Sequence, residues 1–164
     1  MEYLALKSIH ILSSILLFGT GLGSAFYKFF TDRGGVVAAM AQTNHLVVRA
    51  DWWFTTPTIL IQPITGYAMM HSVQWSWDTT WLAASLGLYL LAGACWLPVV
   101  WLQIRMRDLS RSAAAQHRPV PDLYWRMART WFLLGIPAFA AMVVTVLLMV
   151  FKDNLKHIPL HIIE

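Results

Sequence analysis

The stretch TWFLLGIPAFAAMVVTVLLMVF, residues 130–151, decides the fold, because it is long and apolar and contains no Asp, Glu, Lys or Arg. A helix needs roughly 20 predominantly apolar residues to cross the hydrocarbon core of a bilayer. Three other stretches are equally free of these charges: the residues between Lys7 and Lys28, residues 52–77 and residues 79–104. The sequence therefore predicts four membrane-spanning helices.

The composition agrees with this interpretation, since 58% of the 164 residues are hydrophobic and only 12% are charged. The mean hydropathy is +0.56. Little of the chain remains outside the apolar stretches, so we expect one domain. The predicted fold is an all-α, four-helix integral membrane bundle that occupies residues 1–164, with spans at about 3–29, 52–71, 80–104 and 130–151.

The basic residues predict the orientation, because loops rich in Lys and Arg stay on the cytoplasmic side. Nine of the 12 fall in the first and third connections: Lys28, Arg33, Arg49, Arg105, Arg107, Arg111, Arg118, Arg126 and Arg129. The other side has only Lys7, Lys152 and Lys156. We therefore expect both termini, and the short turn around Asp78, on the periplasmic side.

The net charge of +4 does not indicate a nucleic-acid partner, because the arginines flank membrane spans, where anionic lipid lies. The tryptophans cluster at span ends, which is typical of an aromatic belt at the membrane interface. The bilayer is thus the expected partner. Cys95 is the only cysteine, which excludes an intramolecular disulfide.

His10 is the first candidate functional residue, because imidazoles inside a membrane are costly and often functional. At 100° per residue, its face of the first helix also carries Ser14, Gly21, Ser24 and Lys28, so this face should point into the bundle. His10 could ligate a metal or haem, handle protons, or hold a neighbouring helix by a hydrogen bond.

His71 ends the second span on the outer side, at a depth similar to that of His10, which lies roughly 10 Å from the outer end of its own helix. Pro57 and Pro63 should kink the second span and open space beside it. We therefore predict that His10 and His71 are the axial ligands of one haem b. A copper site is the alternative, since methionines and histidines lie on the same side: Met69, Met70, Met149, His157 and His161.

Several short motifs carry a resemblance to known families. Leu6-Lys7-Ser8-Ile9-His10, Thr55-Thr56-Pro57 and Trp81-Leu82 resemble HemJ-type protoporphyrinogen oxidases, four-helix inner-membrane proteins reported to bind haem b through a first-helix histidine. The resemblance implies that role for His10. The lysine that follows Trp-Leu in that family has no counterpart here, where the nearest polar residue is Ser85.

Over essentially its whole length, the chain is also similar to a family of small bacterial predicted integral membrane proteins of unknown function. Together these resemblances imply a multi-pass protein of the bacterial inner membrane. The expected function is electron transfer by haem b near the periplasmic face, with a redox partner or quinone and with self-association into a homo-oligomer as further expectations. A haem-dependent oxidoreductase related to HemJ, copper handling and a structural membrane role are the alternatives.

The orientation gives the first testable prediction. Reporter enzymes fused within residues 105–129 should report a cytoplasmic location, because six of the nine retained arginines and lysines lie there. Fusions at either terminus should report the periplasm. Periplasmic activity from the 105–129 fusion would reverse the orientation and move His10 and His71 to the cytoplasmic side.

Overall fold

The computed structural model describes residues 1–74 and 79–155, and within them helices are the only regular elements. The turn predicted around Asp78 and the end of the chain, with His157 and His161, lie outside the described residues. The helices are α1 (Glu2–Gly34), α2 (Val37–Ala50), α3 (Thr56–Ser72), α4 (Thr80–Ala115) and α5 (Asp122–Leu155).

A π-helical turn, Asp51–Thr55, joins α2 to α3 without a break, since the residues at both junctions keep right-handed helical dihedral angles. The chain therefore forms four rods, and the predicted all-α four-helix bundle is confirmed. α4 packs on α5, α2 packs on α4, and α1 packs on both α2 and α3. α1 continues to Gly34 and ends at Gly35, whose φ of 69° suits glycine.

Three helical segments are long and apolar enough to cross a membrane: Glu2–Gly34, Thr80–Ala115 and Asp122–Phe151. They contain the predicted spans 3–29, 80–104 and 130–151. The predicted span 52–71 coincides with the π turn and α3. α3 alone has 17 residues, fewer than a full crossing needs, so it would cross only together with the π turn and part of α2.

The two prolines of this rod shape the helix around them. Proline lacks a backbone N–H, so the carbonyl four residues earlier loses its helical donor. Pro63 leaves the Ile59 carbonyl in this position, and the Tyr89 hydroxyl of α4 donates to that oxygen. The π turn directly precedes Pro57, and the Thr58 hydroxyl donates to the carbonyl of Phe54 at 2.7 Å. The Tyr89 side chain thus satisfies a backbone group that lipid could not, whereas the Phe54 carbonyl is not one that a proline frees.

The interior of the bundle contains both apolar and polar side chains. Only 11% of the most apolar window of each candidate span is buried, so most apolar side chains face outward, as lipid contact requires. The apolar core that does exist lies between α2, α4 and α5, and consists of Met40, Val99, Leu102, Met106, Tyr124, Met127 and Trp131. Polar side chains fill much of the remaining interior.

A polar cluster at the cytoplasmic end, by the predicted orientation, ties four helices together. We call it the inner cluster, and it comprises Lys28 and Asp32 of α1, Asn44 of α2, Ser110 of α4 and Tyr124 of α5. The Tyr124 hydroxyl accepts hydrogen bonds from Lys28 Nζ and Asn44 Nδ2, both at 2.9 Å. It donates to Asp32 Oδ1 at 2.6 Å, so its hydrogen-bonding capacity is fully used.

The ammonium group of the inner cluster is compensated although it is almost completely buried. Lys28 is 1% exposed, and its Nζ lies 2.7 Å from Asp32 Oδ2. The same ammonium lies 4.9 Å from the Tyr124 ring centroid and 5.6 Å from that of Trp131, within the range of cation–π attraction. Asn44 Nδ2 also donates to Ser110 Oγ at 3.1 Å, which connects α2 to α4.

The GxxxG pair Gly19 and Gly23 behaves differently from what its spacing indicates. Small residues at this spacing predict close contact with another helix. A Cβ added at either glycine would have no atom within 4 Å, apart from its own helix backbone and neighbouring residues. The prediction of close helix contact at Gly19 and Gly23 is therefore wrong within the described chain. α1 instead contacts its neighbours through its polar face and through Phe18 and Phe29, whose rings lie 5.7 and 5.6 Å from those of Phe139 and Phe132 of α5.

The inner cluster gives the second prediction. Tyr124→Phe should lower the unfolding free energy by about 1–3 kcal/mol, because buried groups of Lys28, Asn44 and Asp32 each lose a partner. The loss should appear as a lower thermal midpoint of the purified protein in detergent. Tyr27→Phe is the matched control, since Tyr27 is 67% exposed, and it should leave the midpoint unchanged. Equal midpoints for the two variants would show that the cluster does not hold the helices together.

Candidate functional site

His10 lies in the interior, on the face of α1 that the sequence predicts to point inward. The buried residues of α1 are His10, Ser13 and Lys28. The imidazole faces α3, where a Cβ added at Gly66 would lie 3.7 Å from its Cε1. Gly66 thus leaves room for the ring against the α3 backbone. His10 Nδ1 lies 2.7 Å from Thr65 Oγ1.

The bonds of Thr65 favour one tautomer of His10. The Thr65 hydroxyl donates to the carbonyl of Ile61 at 2.7 Å, and a hydroxyl has only one hydrogen. Toward His10, Thr65 therefore accepts, and Nδ1 donates. In the neutral imidazole the lone pair then lies on Nε2. His10 is held in the form that can bind a metal or accept a proton through Nε2.

Gln62 fixes the backbone beside His10. Its Nε2, which carries two hydrogens, lies within hydrogen-bond distance of three acceptors: the His10 carbonyl at 2.9 Å, Ser13 Oγ at 2.6 Å and Ser14 Oγ at 2.8 Å. Both serine hydroxyls also donate to the His10 carbonyl. We call His10, Ser13, Ser14, Gln62 and Thr65 the histidine cluster. It joins α1 to α3 by polar contacts between residues about 50 positions apart in sequence.

His71 is not part of the histidine cluster. It is exposed, and its ring lies 6.4 Å from that of Tyr67, measured between centroids. His71 follows Gly66 by five residues, a rotation of roughly 140° around the helix, so it lies on another face of α3. Met70, four residues after Gly66, is buried. The structure therefore brings Met70, rather than His71, to the side of α3 that faces His10.

The other predicted ligands are scattered. Met69 and Met149 are half-buried and belong to α3 and α5, while His157 and His161 lie outside the described residues. Among residues 1–74 and 79–151, no group of three or more His, Cys, Asp or Glu side chains could hold a metal ion. These residues therefore provide no cluster of metal ligands that would support a copper site.

The inner face of the α2–α3 rod carries a feature that the histidines did not reveal. Five buried polar residues recur at intervals of four and three: Asp51, Thr55, Thr58, Gln62 and Thr65. We call these residues the polar file. Spacing of this kind places side chains on one face of a helix. Asn44 of the inner cluster lies seven residues before Asp51, and 21 residues of helix from Asn44 to Thr65 span roughly 31 Å, about the thickness of a hydrocarbon core.

The polar file reaches α4 as well as α1. Asp51 Oδ1 accepts a hydrogen bond from the Thr55 hydroxyl at 2.9 Å. The Gln103 side chain of α4 also bonds the Asp51 carboxyl. The alternation of polar residues was visible in the sequence, but there it could be explained as satisfaction of backbone groups freed by the prolines. Only the burial of all five shows that the file faces the interior.

Comparison with known proteins agrees with the membrane assignment. No curated protein and no solved structure matches the chain, and the resemblance to HemJ-type oxidases is not shown. The model of a family described as "Predicted integral membrane protein (DUF2269)", whose function is unknown, matches residues 4–153. A match over nearly the whole length shows that the chain belongs to this family of predicted integral membrane proteins.

Proposed function

We propose that this membrane protein carries protons along the polar file, with His10 as the proton acceptor at its outer end. The observation that carries the proposal is the burial of five polar residues on one face of the α2–α3 rod. A polar side chain inside a membrane is expensive, and files of Asp, His and hydroxyl groups are how membrane proteins move protons.

The contacts at the two ends of the file suit this role. At the outer end, the Thr65 and Gln62 side chains hold His10 with its Nε2 lone pair free to take a proton. At the inner end, Asp51 is 7% exposed and receives the Thr55 hydroxyl. A buried carboxyl and a buried imidazole can both gain and lose a proton, which a file of threonines alone could not do.

Thr58 lies between the two ends. Its hydroxyl donates to the carbonyls of Phe54 and Thr55, so it is satisfied without a partner on another helix. Its oxygen still has a lone pair for a water molecule. One helical turn, about 5 Å, separates successive members of the file, so single waters bridge them in the proposed mechanism.

The third prediction tests proton movement directly. Vesicles that contain the purified protein and an internal pH dye should acidify or alkalinise when valinomycin and a potassium gradient impose a membrane potential. His10→Ala should lower the rate by about 10²-fold, the range in which a positioned acid or base contributes. Thr58→Val should also slow it, because valine keeps the shape but cannot bind water.

The matched control for Thr58→Val is Thr130→Val. Thr130 is exposed and donates to the Arg126 carbonyl, the same type of helix bond outside the file. The Thr130→Val variant should transfer protons at the same rate as the unmodified protein. Rates that are equal in empty vesicles and in vesicles with protein would refute proton transfer.

Binding of haem b is the second candidate function, and the His10 tautomer favours it. An imidazole whose Nδ1–H is hydrogen-bonded and whose Nε2 is free is typical of a metal ligand. His10 fits that role, whereas the exposed His71 does not face the same side of α3. Haem would supply electron transfer to a quinone or redox partner near the periplasmic face of the bacterial inner membrane. A HemJ-like oxidase activity, copper handling and self-association are the remaining alternatives, and each can be tested on the same purified protein.

An absorption spectrum provides the fourth prediction. Protein expressed with ample haem should show a Soret band, and His10→Ala should change its position or remove it. If His71 is the second ligand, His71→Ala should convert a low-spin spectrum to a high-spin one; if Met70 is, Met70→Ala should do so instead. His45→Ala and His117→Ala are the controls. Purified protein without a Soret band would exclude haem, and stoichiometric copper in it would favour metal handling.

A further inference from the structure

A small cavity lies where the π turn meets α4. Its lining includes Asp51, Thr56 and Gln103, and the remaining lining residues are apolar. The cavity has a volume of about 10 Å³, which is room for one water molecule or one small ion. It belongs to neither the histidine cluster nor the inner cluster.

Two oxygen atoms at this cavity have no hydrogen-bond partner among the described residues. They are Asp51 Oδ2 and Gln103 Oε1, and each is almost inaccessible. Asp51 is 7% exposed and Gln103 is 5% exposed, so bulk water does not satisfy them. Both atoms are acceptors, and two acceptors cannot satisfy each other. The Gln103 side chain bonds the Asp51 carboxyl but leaves these two oxygens unpaired, and a cation or a hydrogen-bond donor in the cavity would satisfy them.

The charges near Asp51 indicate what kind of ion the cavity could hold. Within residues 1–74 and 79–151 the ion pairs are Lys28–Asp32 and Arg107–Asp108, so no Lys, Arg or His in those residues neutralises the Asp51 carboxylate. Arg49, two residues away, is exposed. One buried carboxylate balances one positive charge. A divalent ion would keep an excess charge in a low-dielectric interior, which favours a monovalent cation.

The backbone explains why the site occurs here. In the π turn the Thr56 N–H bonds the carbonyl of Asp51, five residues back, instead of the carbonyl four residues back. This widened turn occurs frequently at functional sites in helices. It directly precedes Pro57, so the local sequence sets its position.

We propose that the cavity binds Na⁺, with Asp51 Oδ2 and Gln103 Oε1 as ligands. Carboxylate and amide oxygens are hard ligands that suit such ions. Na⁺ is favoured over K⁺ because its bonds to oxygen are shorter and the cavity is small. The site goes beyond proton transfer and stands without it, because binding at equilibrium requires no conduction.

The test is the thermal midpoint of the purified full-length protein in detergent, in NaCl against choline chloride at equal ionic strength. Na⁺ should raise the midpoint by about 2–4 °C, with saturation as its concentration increases, because a ligand that binds only the folded state stabilises it. KCl should have a smaller effect. The rise should be lost in Asp51→Asn and in Gln103→Met.

Gln116→Met is the matched control, since Gln116 is exposed just beyond the end of α4, and it should keep the full rise. If Asp51→Asn cannot be purified, Gln103→Met decides the question alone. Equal midpoints of the unmodified protein in NaCl and choline chloride would overturn the proposal and leave a buried water or a protonated carboxyl between the two oxygens. A rise that survives in the variants would overturn it too. Because no flux is measured, failure here is separate from failure of proton transfer.

Discussion

The Tyr124 hydroxyl is the contact on which the arrangement of the helices depends. It accepts from Lys28 and Asn44 and donates to Asp32, and thereby links α5 to α1 and α2. Asn44 extends the network to Ser110 of α4. In lipid, apolar surfaces gain little by packing against one another, because the solvent is equally apolar. Polar contacts that lipid cannot replace therefore hold this end of the bundle.

The same constraint organises the other end. The histidine cluster joins α1 to α3 through Gln62 and Thr65, and no large apolar core is needed there. The hydroxyls of Ser13, Ser14 and Thr65 donate to helix carbonyls, and the Gln62 amide donates to α1. By contrast, Asp51 Oδ2 and Gln103 Oε1 have no partner among the described residues, as is also true of Ser85 Oγ, Trp96 Nε1 and Trp131 Nε1. Asp51 and Gln103 line one cavity, and this distinguishes the candidate cation site.

The prolines connect local sequence to both features. Pro57 follows the π turn that includes Asp51, and Pro63 leaves the Ile59 carbonyl for the Tyr89 hydroxyl of α4. The sequence predicted that these prolines would kink the helix and open space beside it. The result is a continuous rod with a widened turn. Pro57 thus lies next to Thr56 at the edge of the cavity, and Pro63 frees a carbonyl for a cross-helix bond.

The sequence by itself determined the number, order and apolar character of the helices, because charge-free runs of about 20 residues are a local property. It also identified the inward face of α1, since His10 and Lys28 share one helical face. The tertiary structure decided which residues meet. Lys28 and Tyr124 are 96 positions apart, and His10 and Thr65 are 55 apart, so neither contact has a local signal. It also decided that Gly19 and Gly23 have no close neighbour, and that His71 faces away from His10. Helical periodicity fixes a residue's face, whereas the packing of other helices fixes what that face contacts.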